Sequence, residues 1–104
     1  MKIQLLYLGL ILLFLKNTLS AQALEKVDLN LISSCIACHG QDGISPNDEW
    51  PNLAGQKKTY LINQLKNFKH GQRVNVLMTP ISKMLDEHQI EALANYYSNL
   101  GLDK

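Results

Sequence analysis

Residues Ser33 to Gly43 read SSCIACHGQDG. The chain has only two cysteines, and it sets them three positions apart with a histidine directly after the second. Three chemistries use such a cluster: a disulfide, a metal site, or a covalent anchor for haem. The surrounding sequence has to decide among them.

The first segment does not read as part of a fold. Met1 and Lys2 give a short basic start, and IQLLYLGLILLFL (Ile3 to Leu15) is almost entirely apolar. Lys16 and Asn17 end the run, and small residues follow at Ala21 and Ala23. This pattern predicts a secretory signal peptide over 1–23, with cleavage after Ala23 or, as the alternative, after Ala21. The apolar run falls short of the roughly 20 residues that a membrane-spanning helix requires. Residues 24–104 would then form the mature domain. They hold eight Lys and Arg against nine Asp and Glu, a formal charge of −1 where the whole chain carries +1. No basic stripe is present to neutralise phosphates, so nucleic acid is not an expected partner. Nor is there an electrostatic reason to coat a membrane after cleavage.

A domain of that size buries only about 60% of its unfolded surface and needs a staple. A disulfide between Cys35 and Cys38 would close a tiny loop and constrain the unfolded chain little. The staple is therefore expected to be something larger.

Glu25 to Ala37 carries apolar residues at roughly helical spacing and predicts a first helix entering the cysteine motif. Gly40 to Gln56 is dense in Gly, Pro and Asn and predicts a loop. KKTYLINQLKNFKHG predicts a second helix, with Tyr60, Leu61, Gln64, Leu65 and Phe68 on one side and Gly71 as its stop. Gln72 to Lys83, interrupted by Pro80, is expected to be irregular. Asp86 as N-cap with Gln89 three residues on forms a capping box, and Leu85 can staple onto Ile90. Ile90, Leu93, Ala94, Tyr97 and Leu100 mark the apolar face of this last helix, and Gly101 ends it. Two long loops in so small a helical domain make sense if they wrap a large flat object.

C-x-x-C-H is the attachment pattern for c-type haem. One helical turn between Cys35 and Cys38 sets two thiols to meet the two vinyl groups on one porphyrin edge, and His39 then presents its imidazole to the iron. A thioredoxin-like pair would need a βαβ unit, which the chain lacks. A structural zinc site would need a fourth ligand from His70 or His88, and adjacency of Cys38 and His39 is poor zinc geometry. For the second axial ligand the mature chain offers Met78, inside the irregular VLMTPIS stretch, and Met84, beside the staple residue and better suited to packing. His70 and His88 are expected to be exposed helix residues.

CIACHGQDGISPNDEWPNLAGQ, then YLINQLKNFKHGQR, then a methionine-bearing loop, then EALANYYSNL together resemble a class I c-type cytochrome. The resemblance is to a single-haem protein similar to one half of the tandem two-haem periplasmic cytochromes c, and it spans nearly all of the mature chain. It implies an all-α fold in which three to four helices wrap one covalently bound haem c. It places the ligand methionine at Met78, eight residues before the Asp86 cap. It also implies that the Pro51 carbonyl accepts from the proximal His39, which would fix the ring. Trp50, Tyr60, Tyr96 and Tyr97 are then expected in the core or along the haem wall, with Arg73 and Lys57 as surface residues within reach of a propionate.

Iron closed by His and Met has no site for substrate and can only change oxidation state. The expected function is a periplasmic one-electron carrier between a respiratory donor and a terminal oxidase or reductase, not an enzyme. The alternative is a haem c subunit of an exported dehydrogenase, such as a sulfide-oxidising flavocytochrome.

Overall fold

The computed structural model describes Gln4, residues 6–10 and residues 28–101. The signal-peptide cleavage positions and the start expected for the first helix lie outside the described residues. Residues 28–101 form four helices: α1 (Leu29–His39), α2 (Lys58–His70), α3 (Met78–Lys83) and α4 (Glu87–Asn99). No strand occurs among the described residues. The chain has the all-α fold that the sequence implied.

Asp28 caps α1, its carboxylate accepting from the Asn30 N–H at 3.0 Å. The helix runs through both cysteines and ends on His39. Gly40 follows with φ +85°, and a Cβ there would run into the Ile44 carbonyl. Only glycine lets the chain leave the helix this sharply. At the other end of the fold, α2 stops at Gly71 in the left-handed conformation, with Lys69 and His70 in its last turn.

The stretch from 72 to 83 differs from the expectation. Its second half is the helix α3, which the presence of Pro80 had argued against. Pro80 is the third residue of α3, where a missing N–H leaves no intrahelical bond unmade. The start signal lies three residues ahead of the helix: Asn75 Oδ1 accepts from the N–H groups of Leu77 and Met78, both at 2.9 Å.

The capping box at α4 is complete. Asp86 accepts from the Gln89 N–H at 2.7 Å and Gln89 accepts from the Asp86 N–H at 3.0 Å. Ile90, Leu93, Ala94 and Tyr97 then turn inward. They form the core with Ile32 of α1, Leu61 of α2 and Leu85. Ile90 is fully buried, so Leu85 and Ile90 meet in the core as the staple requires. α2 packs on both α3 and α4. Tyr60, 48% exposed, stays outside the core, because the apolar face of α2 is centred on Leu61, Leu65 and Phe68.

Candidate functional site

The cysteine cluster occupies the C-terminal half of α1. Cys35 and Cys38, one turn apart, are both free thiols and both half-buried. Burial pushes the Cys35 thiol above its ordinary range. Its sulfur lies 3.8 Å from the Leu31 carbonyl, one turn back, and that oxygen accepts the thiol hydrogen.

His39 is the buried ring of the site, at 6% exposure. Its Nδ1 stands 2.8 Å from the Pro51 carbonyl oxygen. A carbonyl can only accept, so Nδ1 carries the hydrogen, and in the neutral ring Nε2 keeps its lone pair. The imidazole is thereby fixed in one tautomer with a free donor nitrogen.

The loop from 40 to 57 is held by its own polar groups. Ser45 Oγ donates to the Cys38 carbonyl at 3.3 Å, and the Ser45 N–H donates to Asn52 Oδ1 at 2.7 Å. Leu53 and Ala54 donate to the Gly43 carbonyl, and Gly55 donates to the Tyr97 carbonyl at 2.9 Å. The loop that delivers Pro51 to His39 is thus tied to α1 at one end and to α4 at the other.

Met78 opens α3 and is half-buried, its N–H held by Asn75. Met84 is 75% exposed, which corrects the expectation that it packs. The turn between α3 and α4 gives Leu85 to the core and leaves Met84 on the outside. His70 and His88 are exposed on α2 and α4. Among the described residues no group of three His, Cys, Asp or Glu side chains converges to hold a metal ion.

Two features were missed in the sequence. Arg73 lies over the Phe68 ring, 4.5 Å from its centroid, and donates to Gln64 Oε1 at 2.7 Å. Its alternation with Gln64 and Phe68 across the Gly71 turn was the only available signal. Ser82 and Tyr97 are buried with hydroxyls that make no hydrogen bond. Nothing in the sequence distinguishes a serine that faces inward from one that faces water.

The donor set fits a covalently held haem. Two thiols one turn apart suit the vinyl groups, the adjacent imidazole offers a lone pair, and the orphaned Tyr97 hydroxyl awaits a partner in the same buried region. A small helical domain with this cluster at the end of its first helix is the plan of a haem-binding electron-transfer protein. The family model for cytochrome c matches residues 30–101, and the chain belongs to that family. Members carry haem c bonded to the polypeptide.

Among relatives, the chain is 42% identical over 71 residues to cytochrome c-554(548) of Halomonas halodenitrificans, covering 65% of this chain and 86% of that one. It is 46% identical over 69 residues to the thiosulfate dehydrogenase electron acceptor of Thiomonas intermedia, covering 65% of this chain and 32% of that one. The solved structure of Acidithiobacillus ferrooxidans cytochrome c4 superposes with a TM-score of 0.61 at 44% identity, over 64% of this chain and 38% of that one. The chain thus spans about a third of the Thiomonas relative and most of the Halomonas one. The similarity to part of a cytochrome c4 agrees with the resemblance read from the motifs.

Proposed function

We propose that this chain is a single-haem electron carrier exported to the periplasm, with residues 1–23 removed as a signal peptide and 24–104 forming the cytochrome domain. Cys35 and Cys38 hold the haem through thioethers, His39 is the proximal ligand and Met78 the distal one. Haem c supplies a one-electron iron couple when bound.

The chain's own residues do the rest. The Pro51 carbonyl orients His39 and raises the basicity of its ligating nitrogen. The α1–loop–α4 ties keep that geometry rigid, so little has to rearrange when charge changes. A thioether at the distal position raises the potential and leaves no open coordination site. Redox partners would then dock transiently on a small surface. The observation that carries the reading is the buried His39 ring, directly after Cys38, locked by Pro51 with Nε2 free. Among the described residues no helix is long and apolar enough to cross a membrane.

A relative named as a thiosulfate dehydrogenase electron acceptor supports delivery of electrons from an exported dehydrogenase, either to a free carrier or to a bound subunit. The carrier between respiratory components is the leading reading.

The test is expression in cells competent for cytochrome maturation. The product is expected to be red, heavier than residues 24–104 by one haem, monomeric on gel filtration and reversibly reducible. A colourless product of bare polypeptide mass overturns the proposal. Stable co-purification of a larger flavin-containing chain would replace the carrier with the subunit.

A further inference from the structure

Tyr97 is the buried ionisable side chain that the reading above leaves without a task. It is 3% exposed on α4, with its ring edge-on to Tyr96 at a centroid distance of 5.0 Å. Its carbonyl receives the Gly55 N–H, so backbone and ring are both fixed. Yet its hydroxyl is buried and makes no hydrogen bond. A buried donor without a partner costs about 1–3 kcal/mol, and α4 could have carried phenylalanine at no such cost.

The polar group that Tyr97 meets is Cys35. Cys35 packs against the core cluster that contains Tyr97. Each group perturbs the ionisation of the other; burial, and then the Cys35 sulfur, hold the phenol protonated. No hydrogen bond between them is complete, and the Cys35 thiol hydrogen goes instead to the Leu31 carbonyl. With its one hydrogen turned to Leu31, the thiol offers the phenol only a lone pair, and its sulfur is held toward that carbonyl. A thioether has no hydrogen and can only accept. Converting Cys35 from thiol to thioether removes the hydrogen that ties the sulfur to Leu31 and leaves the sulfur only the acceptor role that the Tyr97 hydroxyl needs.

We propose that Tyr97 is a positioning residue whose hydroxyl donates to the Cys35 sulfur once that sulfur is a thioether, fixing the sulfur and drawing electron density from it. This rests on Cys35 being an attachment point. A haem propionate is not the alternative partner, because propionates lie on the porphyrin edge opposite the vinyl groups that the cysteines take.

The experiment measures the reduction potential of the holoprotein for Tyr97→Phe, for Cys35→Ala and for the double variant. Phenylalanine keeps the packing and removes the donor. The potential is expected to fall in Tyr97→Phe relative to wild type. The same change made in the Cys35→Ala background is expected to leave the potential where Cys35→Ala alone sets it. An equal fall in both backgrounds assigns the effect to the ring and overturns the proposal, as does no fall in the first. If the Cys35→Ala chain gives no holoprotein, 3-fluorotyrosine at position 97 decides instead. It is a stronger donor and must raise the potential; an unchanged or lower value overturns the proposal. Failure of the underlying reading is seen separately: a reduced haemochrome band identical in wild type and Cys35→Ala means that Cys35 is not bonded to haem.

Discussion

Lys69, in the last turn of α2, donates its ammonium to the backbone carbonyl of Leu85, the residue just before the α4 capping box. The contact bridges 16 positions and is half-buried. It joins the helix that stops at Gly71 to the turn that feeds the last helix, so it fixes how α2, α3 and α4 meet. Lys69→Met keeps the aliphatic stem and removes the donor, leaving the Leu85 carbonyl unpaired. A loss of about 1–2 kcal/mol is expected, read as a lower denaturant midpoint of the holoprotein with an unchanged slope. No change would mean that the ammonium is exchanged for water without cost.

The Asp86–Gln89 capping box should carry a comparable share. Asp86→Ala removes the acceptor for the Gln89 N–H and is expected to cost about 1 kcal/mol. Asp86→Ser restores an acceptor at the same position and should recover most of it. Thermal unfolding of the three holoproteins makes the comparison.

Gly40 allows a sharper prediction. With φ at +85° and the Ile44 carbonyl where a Cβ would stand, Gly40→Ala must move the backbone directly after His39. Strained backbone of this kind costs on the order of 1–3 kcal/mol before any clash is relieved. The loop that brings Pro51 to His39 begins here, so the yield of holoprotein is expected to fall along with stability. Gly71→Ala has an open Cβ position and pays the conformational cost alone, so it should be the milder of the two.

Glu87 pairs with Lys66 across α4 and α2 at 2.9 Å, and that hydrogen bond holds its carboxyl below the usual range. A carboxyl depressed in the folded state stabilises fully above its unfolded pKa and loses the contribution as pH falls through the folded value. Wild type should therefore exceed Glu87→Gln slightly at neutral pH, and the difference should vanish in acid. Both side chains are largely exposed, so the effect should be small and should shrink with added salt. A difference that persists below the carboxylate range would assign it to something other than the pair.

The helical plan outside α3 was legible where local signals agree with burial. The Asp86 cap, the Ile90–Tyr97 face and the Gly71 stop all pointed one way, and the structure has all three. Legibility failed where one residue's meaning depends on its position in an element. Pro80 reads as a breaker, yet in the first turn of α3 it breaks nothing. Met84 reads as packing because Leu85 beside it packs, yet a single step along the chain faces it outward. At the site, the contact between His39 and the Pro51 carbonyl that the resemblance implied is present in the fold. The Tyr97 hydroxyl was not legible, because its lack of a partner is a property of the packed core.

The proposal that Met78, not Met84, is the distal ligand can be tested on the two methionines. Met84 is exposed on the α3–α4 turn, whereas Met78 is half-buried at the start of α3, with its backbone held by Asn75. Met84 closes α3, its N–H bonded to the Ile81 carbonyl, with its side chain turned outward, whereas the half-buried side chain of Met78 favours it as the ligand. Met78→Ala is expected to lower the reduction potential and to let the reduced protein take up carbon monoxide at neutral pH, because the position it closes is then open. Met84→Ala is expected to do neither, and, as a change on the surface, to shift stability by no more than about 0.5 kcal/mol. Asn75→Ala should sit between them: it removes the acceptor for the Leu77 and Met78 N–H groups and loosens the first turn of α3 without removing the sulfur. Carbon monoxide uptake by Asn75→Ala that is slower than in Met78→Ala, but faster than in wild type, is the expected order. Equal behaviour of Met78→Ala and Met84→Ala would refute the assignment.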